Sequence, residues 1–119
     1  MSDADTSVGD WVRIAAVADL DPEFPILVRI GDAELVVGES EGAPFALHNI
    51  CSHAFARLSD GYVEGTEIFC PLHQGSFDVR TGEARAAPCV EAIAAYPLKV
   101  EGGDVFVNAA LLAGQAAVI

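Results

Sequence analysis

The chain has 119 residues, 52% of them hydrophobic, so it is read as one domain (residues 1–119) with a real but modest core, and disorder is excluded. Eighteen acidic against six basic residues leave a formal charge of −12, which argues against a phosphate-binding face and hence against nucleic acid as a partner. No stretch is long enough to span a bilayer, and the acidic start Met1-Ser-Asp-Ala-Asp lacks the basic and apolar regions of a secretory leader, so a cytoplasmic, membrane-free protein is expected.

Along the chain, turn signals are frequent and the runs between them short, which predicts an all-β domain. Residues 11–17 form a first strand. Residues 19–25 form a loop in which two prolines block ladder bonds. Residues 26–30 and 33–38 flank Gly31-Asp32, a two-residue hairpin signal. Residues 41–44 (Glu-Gly-Ala-Pro) read as the next turn, after which residues 45–49 lead into a loop. Residues 62–64 and 67–69 are brief strands set off by Gly61 and Gly65. Residues 76–80 are a strand closed by Thr81-Gly82, and residues 86–88 an irregular loop. Tyr96, Leu98 and Val100 alternate with Pro97 and Lys99, which predicts a half-buried strand near a sheet edge. Gly102-Gly103 turns the chain into a last strand, 104–108. The Ala- and Leu-rich tail 109–119 reads as a short helix packed on the sheet, with a contact to another subunit or a frayed end as the alternatives, its role undetermined.

Four residues carry the chemistry: Cys51, His53, Cys70 and His73, spaced C-x-H-x16-C-x-x-H. Each of two loops offers one thiolate and one imidazole. Thiolates are soft ligands suited to iron and sulfide, and imidazole binds as a neutral donor. Two ferric ions and two sulfides carry a charge of +2, which two thiolates cancel. The oxidised centre is then neutral and accepts an electron more readily than a four-thiolate cluster, at roughly −150 to +300 mV against about −400 mV. Cys₂His₂ also suits a structural zinc ion. Zinc fingers, however, pair Cys with Cys and His with His, whereas this chain pairs Cys with His twice and has no basic helix. Cys89 is left over as an unassigned thiol, and such an odd thiol fits a reducing compartment.

Beyond the ligands, the stretches Cys51-Ser-His53 and Cys70-Pro-Leu-His73-Gln-Gly-Ser-Phe77-Asp resemble the two cluster loops of the Rieske family. Arg80-Thr-Gly-Glu83 followed by Ala87-Pro88 resembles that family's run into a proline-bearing loop over the cluster. The likeness is strongest to the small Rieske-type ferredoxins of bacterial aromatic-ring-hydroxylating dioxygenase systems. It implies a Rieske (ISP-like) fold: antiparallel sheets as a base, with a small cluster-binding subdomain, about residues 49–80, at the tip. It also implies one Rieske-type [2Fe–2S] cluster held by Cys51, His53, Cys70 and His73. The function implied is a non-enzymatic carrier that docks transiently with a flavin-containing ferredoxin reductase as donor and a terminal Rieske oxygenase as acceptor. The alternative is a small Rieske-like subunit of a larger reductase such as nitrite reductase.

The departures from the high-potential members of that family point to low potential. Their loop disulfide has no counterpart, because the matching positions are Ala56 and Leu72. Their serine and tyrosine hydroxyls, which hydrogen-bond cluster sulfur, are matched by Gly75 and Phe77. Ser76 is one position off and, in a strand, faces the other way. Protein assembled anaerobically with iron and sulfide supplied is expected to be coloured and to contain acid-labile sulfide. Colourless, sulfide-free material would assign the four ligands to zinc.

Overall fold

A computed structural model describes residues 11–50, 57–71, 75–86 and 92–108. Among these are ten strands: β1 (Trp11–Ala16), β2 (Ile26–Ile30), β3 (Ala33–Ser40), β4 (Ala43–His48), β5 (Tyr62–Glu64), β6 (Glu67–Phe69), β7 (Ser76–Asp78), β8 (Ala84–Ala86), β9 (Leu98–Glu101) and β10 (Asp104–Asn108). Short 3₁₀ turns follow β1 (Val17–Asp19) and precede β5 (Leu58–Asp60). The strands form three antiparallel sheets, β1-β10-β9, β2-β3-β4 and β5-β6-β7-β8. The all-β expectation is met.

The sheet β2-β3-β4 is the middle layer. Leu35, Val36 and Val37 on β3 are all fully buried, a continuous apolar run of the kind a strand carries when both its faces are covered. Alternation sends them to opposite sides. Val36 joins Phe45 and Leu47 in a core with Leu58, Val63, Ile68, Cys70 and Phe77, contributed by the sheet β5-β8 and the loop before it. Leu35 and Val37 join Ala46, Tyr96, Val105 and Val107 in a second core against the sheet β1-β10-β9. One sheet thus separates the base of the molecule from the small sheet that carries the second cysteine–histidine loop.

Several boundaries differ from the sequence reading. Pro44 lies inside β4, opposite Glu39, and the turn is Glu41-Gly42 alone, with φ of 54° and 82°. Two successive positive φ values match the twist of a tight hairpin. The proline is tolerated for a reason of parity. Ala46 and His48 direct their backbone groups outward, to Tyr96 and Ala94, and Pro44 shares their phase, so its missing N–H breaks no bond to β3. The strand from residue 76 stops at Asp78, whose Oδ1 accepts the N–H groups of Arg80 (2.8 Å) and Thr81 (3.2 Å) and bends the chain. Residues 84–86, Ala-Arg-Ala, have no strand-forming signal of their own and become β8 by pairing with β7. β9 starts at Leu98, after Pro97, and is an edge strand as that proline predicts. Tyr96 is not part of it, and Val100 is 47% exposed. The proposed tail helix at 109–119 lies outside the described residues.

Gly82 is the joint between the small sheet and the return segment. Its N–H donates to Asp78 O (2.8 Å) and its carbonyl accepts from Ile93 N–H (2.9 Å), with φ at +78°. A methyl group there would collide with the carbonyl of Ile93. Gly102 has a similar φ of 59° but open space around it. Gly102→Ala is therefore expected to cost only the left-handed penalty, about 1–2 kcal/mol, and Gly82→Ala clearly more. Denaturant unfolding of the two variants checks this. Equal costs would mean that backbone conformation alone, and not the close approach, explains Gly82.

Candidate metal centre

The first loop is closed at its stems. Ile50 and Arg57 face each other in an antiparallel bridge, and residues 51–56, which hold Cys51 and His53, run between them. Asn49, fully buried, ties the stems together. Its backbone N–H donates to Glu34 O (3.0 Å) and its carbonyl accepts from Leu58 N–H (2.7 Å). Its side-chain Oδ1 accepts from Ser59 N–H (2.8 Å), and Nδ2 donates to Ser59 Oγ (3.1 Å) and Glu34 Oε1 (3.3 Å). A buried amide so fully satisfied is a rigid joint, because leaving any of these groups unpaired costs about 1–3 kcal/mol.

Glu34 on β3 is the centre of that joint. It accepts a two-pronged contact from Arg57, Nε at 2.9 Å and Nη2 at 3.2 Å, and a further hydrogen bond from Arg29 Nη2 at 3.2 Å. Its side chain is only 17% exposed. Hydrogen bonding from Arg57, which outweighs burial, together with Asn49 and Arg29, holds its carboxyl at about 2 against an ordinary 4.5, and Arg57 is raised in turn by Glu34. Planar two-pronged pairs of this kind fix orientation as well as distance.

The second loop is closed by backbone. Cys70 is 1% exposed, and its N–H donates to the carbonyl of Gly75 at 2.8 Å. The ladder Phe69↔Ser76, Ile68↔Phe77 continues from that bond, so the described residues on either side of 72–74, the segment that holds His73, are paired as a hairpin. The stems of the two loops meet at Gly61, where the chain leads into β5. A Cβ on Gly61 would collide with the carbonyl of Phe69, the residue before Cys70. Leu58 and Cys70 share one apolar core.

Of the four expected ligands, Cys70 is described and lies buried at this junction; Cys51, His53 and His73 lie outside the described residues, as do Cys89, Ala56, Leu72 and Pro88. Ser76 and Phe77 behave as expected. Phe77 is fully buried in the core, while Ser76 points to the other face and donates its hydroxyl to Glu67 Oε1 at 2.7 Å. His48 is half-buried on β4; burial lowers its pKa, against the raising influence of Glu34. This fits an ordinary strand histidine. The sequence reading missed Glu34, Asn49 and Arg57. Glu34 lies 23 positions from Arg57, on a strand that the sequence places but does not link to the loop, and no local spacing announces the pair.

The surroundings suit a thiolate-bound, water-poor centre. One cysteine is enclosed by apolar side chains, both loop stems are fixed, and glycine at 61 lets the stems approach. The remaining expected donors, Cys51, His53 and His73, fall in sequence between the residues that form these stems.

Comparison with known proteins agrees. The family description "Rieske [2Fe-2S] domain" matches residues 10–97. The chain is 44% identical over 98 residues to the ferredoxin component of the naphthalene 1,2-dioxygenase system of Pseudomonas putida, covering 82% of this chain and 94% of that one. Among solved structures, a ferredoxin of Sphingomonas yanoikuyae B1 superposes with a TM-score of 0.78 at 40% identity, covering 82% of this chain and 96% of the other. A complex of reduced oxygenase and oxidised ferredoxin in carbazole 1,9a-dioxygenase gives a TM-score of 0.78 at 33% identity, with 84% and 94% covered. The apo dicamba monooxygenase shares the fold with a TM-score of 0.75 at 26% identity, but only 32% of its length is matched.

The Glu34 joint makes a pH prediction. Because the folded carboxyl titrates below the unfolded one, its stabilisation is complete above about 4.5 and is lost as pH falls through about 2. Glu34→Gln cannot titrate. The stability gap between wild type and Glu34→Gln, measured by denaturant midpoint, is expected to be widest near neutrality and to narrow below about 4.5. A gap independent of pH would show that the carboxylate charge does not hold the joint.

Proposed function

The chain belongs to the Rieske [2Fe–2S] domain family and takes that family's single cluster, and we propose from that premise that it carries single electrons to a terminal aromatic-ring oxygenase from a flavin-containing ferredoxin reductase. The observation that supports this most directly is extent. The match covers 94% of a dioxygenase ferredoxin component but 32% of an oxygenase with the same fold. Relatives matched nearly end to end are electron-transfer components and not catalytic ones.

Cys51 and Cys70 would hold one iron, and His53 and His73 the other. When bound, the cluster supplies reversible one-electron chemistry at a potential above that of four-thiolate ferredoxins. The chain's own residues do the rest. The apolar core around Cys70 keeps water from the thiolate side. Phe77 has no hydroxyl to offer sulfur, and Ser76 has committed its proton to Glu67. A donor to sulfur stabilises the reduced state, so its lack at these positions favours a low potential. Exposed imidazole edges of His53 and His73 would serve as the electron port and docking tip.

Docking to the two partners is proposed to be transient, with a small interface. The charge of −12 would steer encounter with basic surfaces, an effect that salt screens. Among the described residues no helix is long and apolar enough to cross a membrane, and a cytoplasmic location is part of the proposal.

Redox titration followed by electron paramagnetic resonance tests the reading. The dithionite-reduced protein is expected to show the low average g of a mixed nitrogen–sulfur cluster, with a midpoint near the bottom of the Rieske range, roughly −150 mV. An all-thiolate signal would reject the ligand set, and a midpoint above about +100 mV would reject the tuning argument.

A further inference from the structure

The two loops are held by different forces. Among the described residues, the second is closed by backbone, through the Cys70 N–H to Gly75 carbonyl bond and the β6–β7 ladder, with no ion pair at its stems. The first also depends on charge. A single carboxylate, reaching from β3 in the middle sheet, accepts from Arg57 at one stem and from Asn49 at the other. Neither Glu34 nor Arg57 belongs to the expected ligand set. Arg57 is 49% exposed, yet its fork is seated on a carboxylate that is itself mostly enclosed. Solvent-facing ion pairs with one free partner seldom contribute much. This one differs because the buried Asn49 amide bonds to the same oxygen that receives Arg57 Nε, so the three groups move as a unit.

We propose that Glu34 is a positioning residue for the cluster: through Arg57 and Asn49 it sets the separation and angle of the stems that present Cys51 and His53. The proposal rests on the assignment of those two residues as ligands. Ligand orientation at a metal is set by the groups behind the ligands, and loosening them changes metal retention and electronic structure together. The carboxylate acts as a fixed wedge in the middle sheet, so the stems of the first loop take their spacing from the core.

The test uses the cluster-loaded chain in five forms: wild type, Glu34→Gln, Arg57→Gln, the double variant, and Asp104→Asn, which removes the Arg13–Asp104 pair (3.0 Å) on the distant sheet. Two readouts are taken, the g values and linewidths of the reduced cluster and the half-time of its loss to excess EDTA. Glu34→Gln and Arg57→Gln are each expected to broaden and shift the g tensor and to shorten the half-time by about tenfold, the rate equivalent of one lost charge-assisted hydrogen bond. The double variant should be no worse than the singles, because both remove the same link. Asp104→Asn should match wild type. The proposal is overturned if Glu34→Gln and Arg57→Gln melt earlier but keep the wild-type g tensor and release rate, or if their effects add in full. Should Glu34→Gln not fold, Arg57→Gln, altering a half-exposed side chain, answers the same question against the same two readouts. Cys51→Ser separates the underlying assignment: a wild-type spectrum there would remove Cys51 from the ligand set, whatever the stem variants do.

Discussion

Residues 93–96 belong to none of the three sheets and bind all of them together. Ile93 donates to the carbonyl of Gly82 on the small sheet and packs in the core beneath it. Ala94 and Tyr96 pair with His48 and Ala46 on the open edge of β4, and Tyr96 fills the opposite core. Pro97 then releases the chain into β9. Four residues therefore close a sheet edge, seal two cores and set the distance between the base and the small sheet. An edge left open would expose unpaired backbone groups; here the edge is used to couple subdomains.

That coupling gives the middle sheet its role. β3 is buried on both faces, so it cannot shift without disturbing either core. Glu34 extends from this rigid strand to the stems of the first loop, and Asn49 continues from β4 into the same stems. The second loop is anchored independently, by a hairpin. An electron carrier is served by a centre that changes charge without a change of shape. Mounting one loop on the core and the other on a tight ladder supplies that rigidity by two separate means.

Much of the architecture was legible in short-range signals. The hairpins at Gly31-Asp32 and Gly102-Gly103, the brief strands 62–64 and 67–69, and the edge position implied by Pro97 all follow from turn chemistry and alternation, which act between near neighbours. The misreadings arose where distant chain decided. Pro44 was taken for a turn because its strand phase depends on which edge residues 94–96 occupy. Residues 84–86 were missed as a strand because only pairing with β7 makes Ala-Arg-Ala extended.

The site divides in the same way. The sequence alone determined which donors are proposed and their spacing, since two cysteines and two histidines at these intervals already specify the charge and chemistry such a centre would have. It also determined the absence of hydroxyls at Gly75 and Phe77, because residue identity is all that requires. Tertiary structure decided that Ser76 spends its proton on Glu67, that Gly61 lets the two loop stems approach, and that Glu34 holds stems far from it in the chain. Those contacts join residues whose separation along the backbone is set by the fold, and no local pattern encodes a meeting that only the packing of sheets brings about.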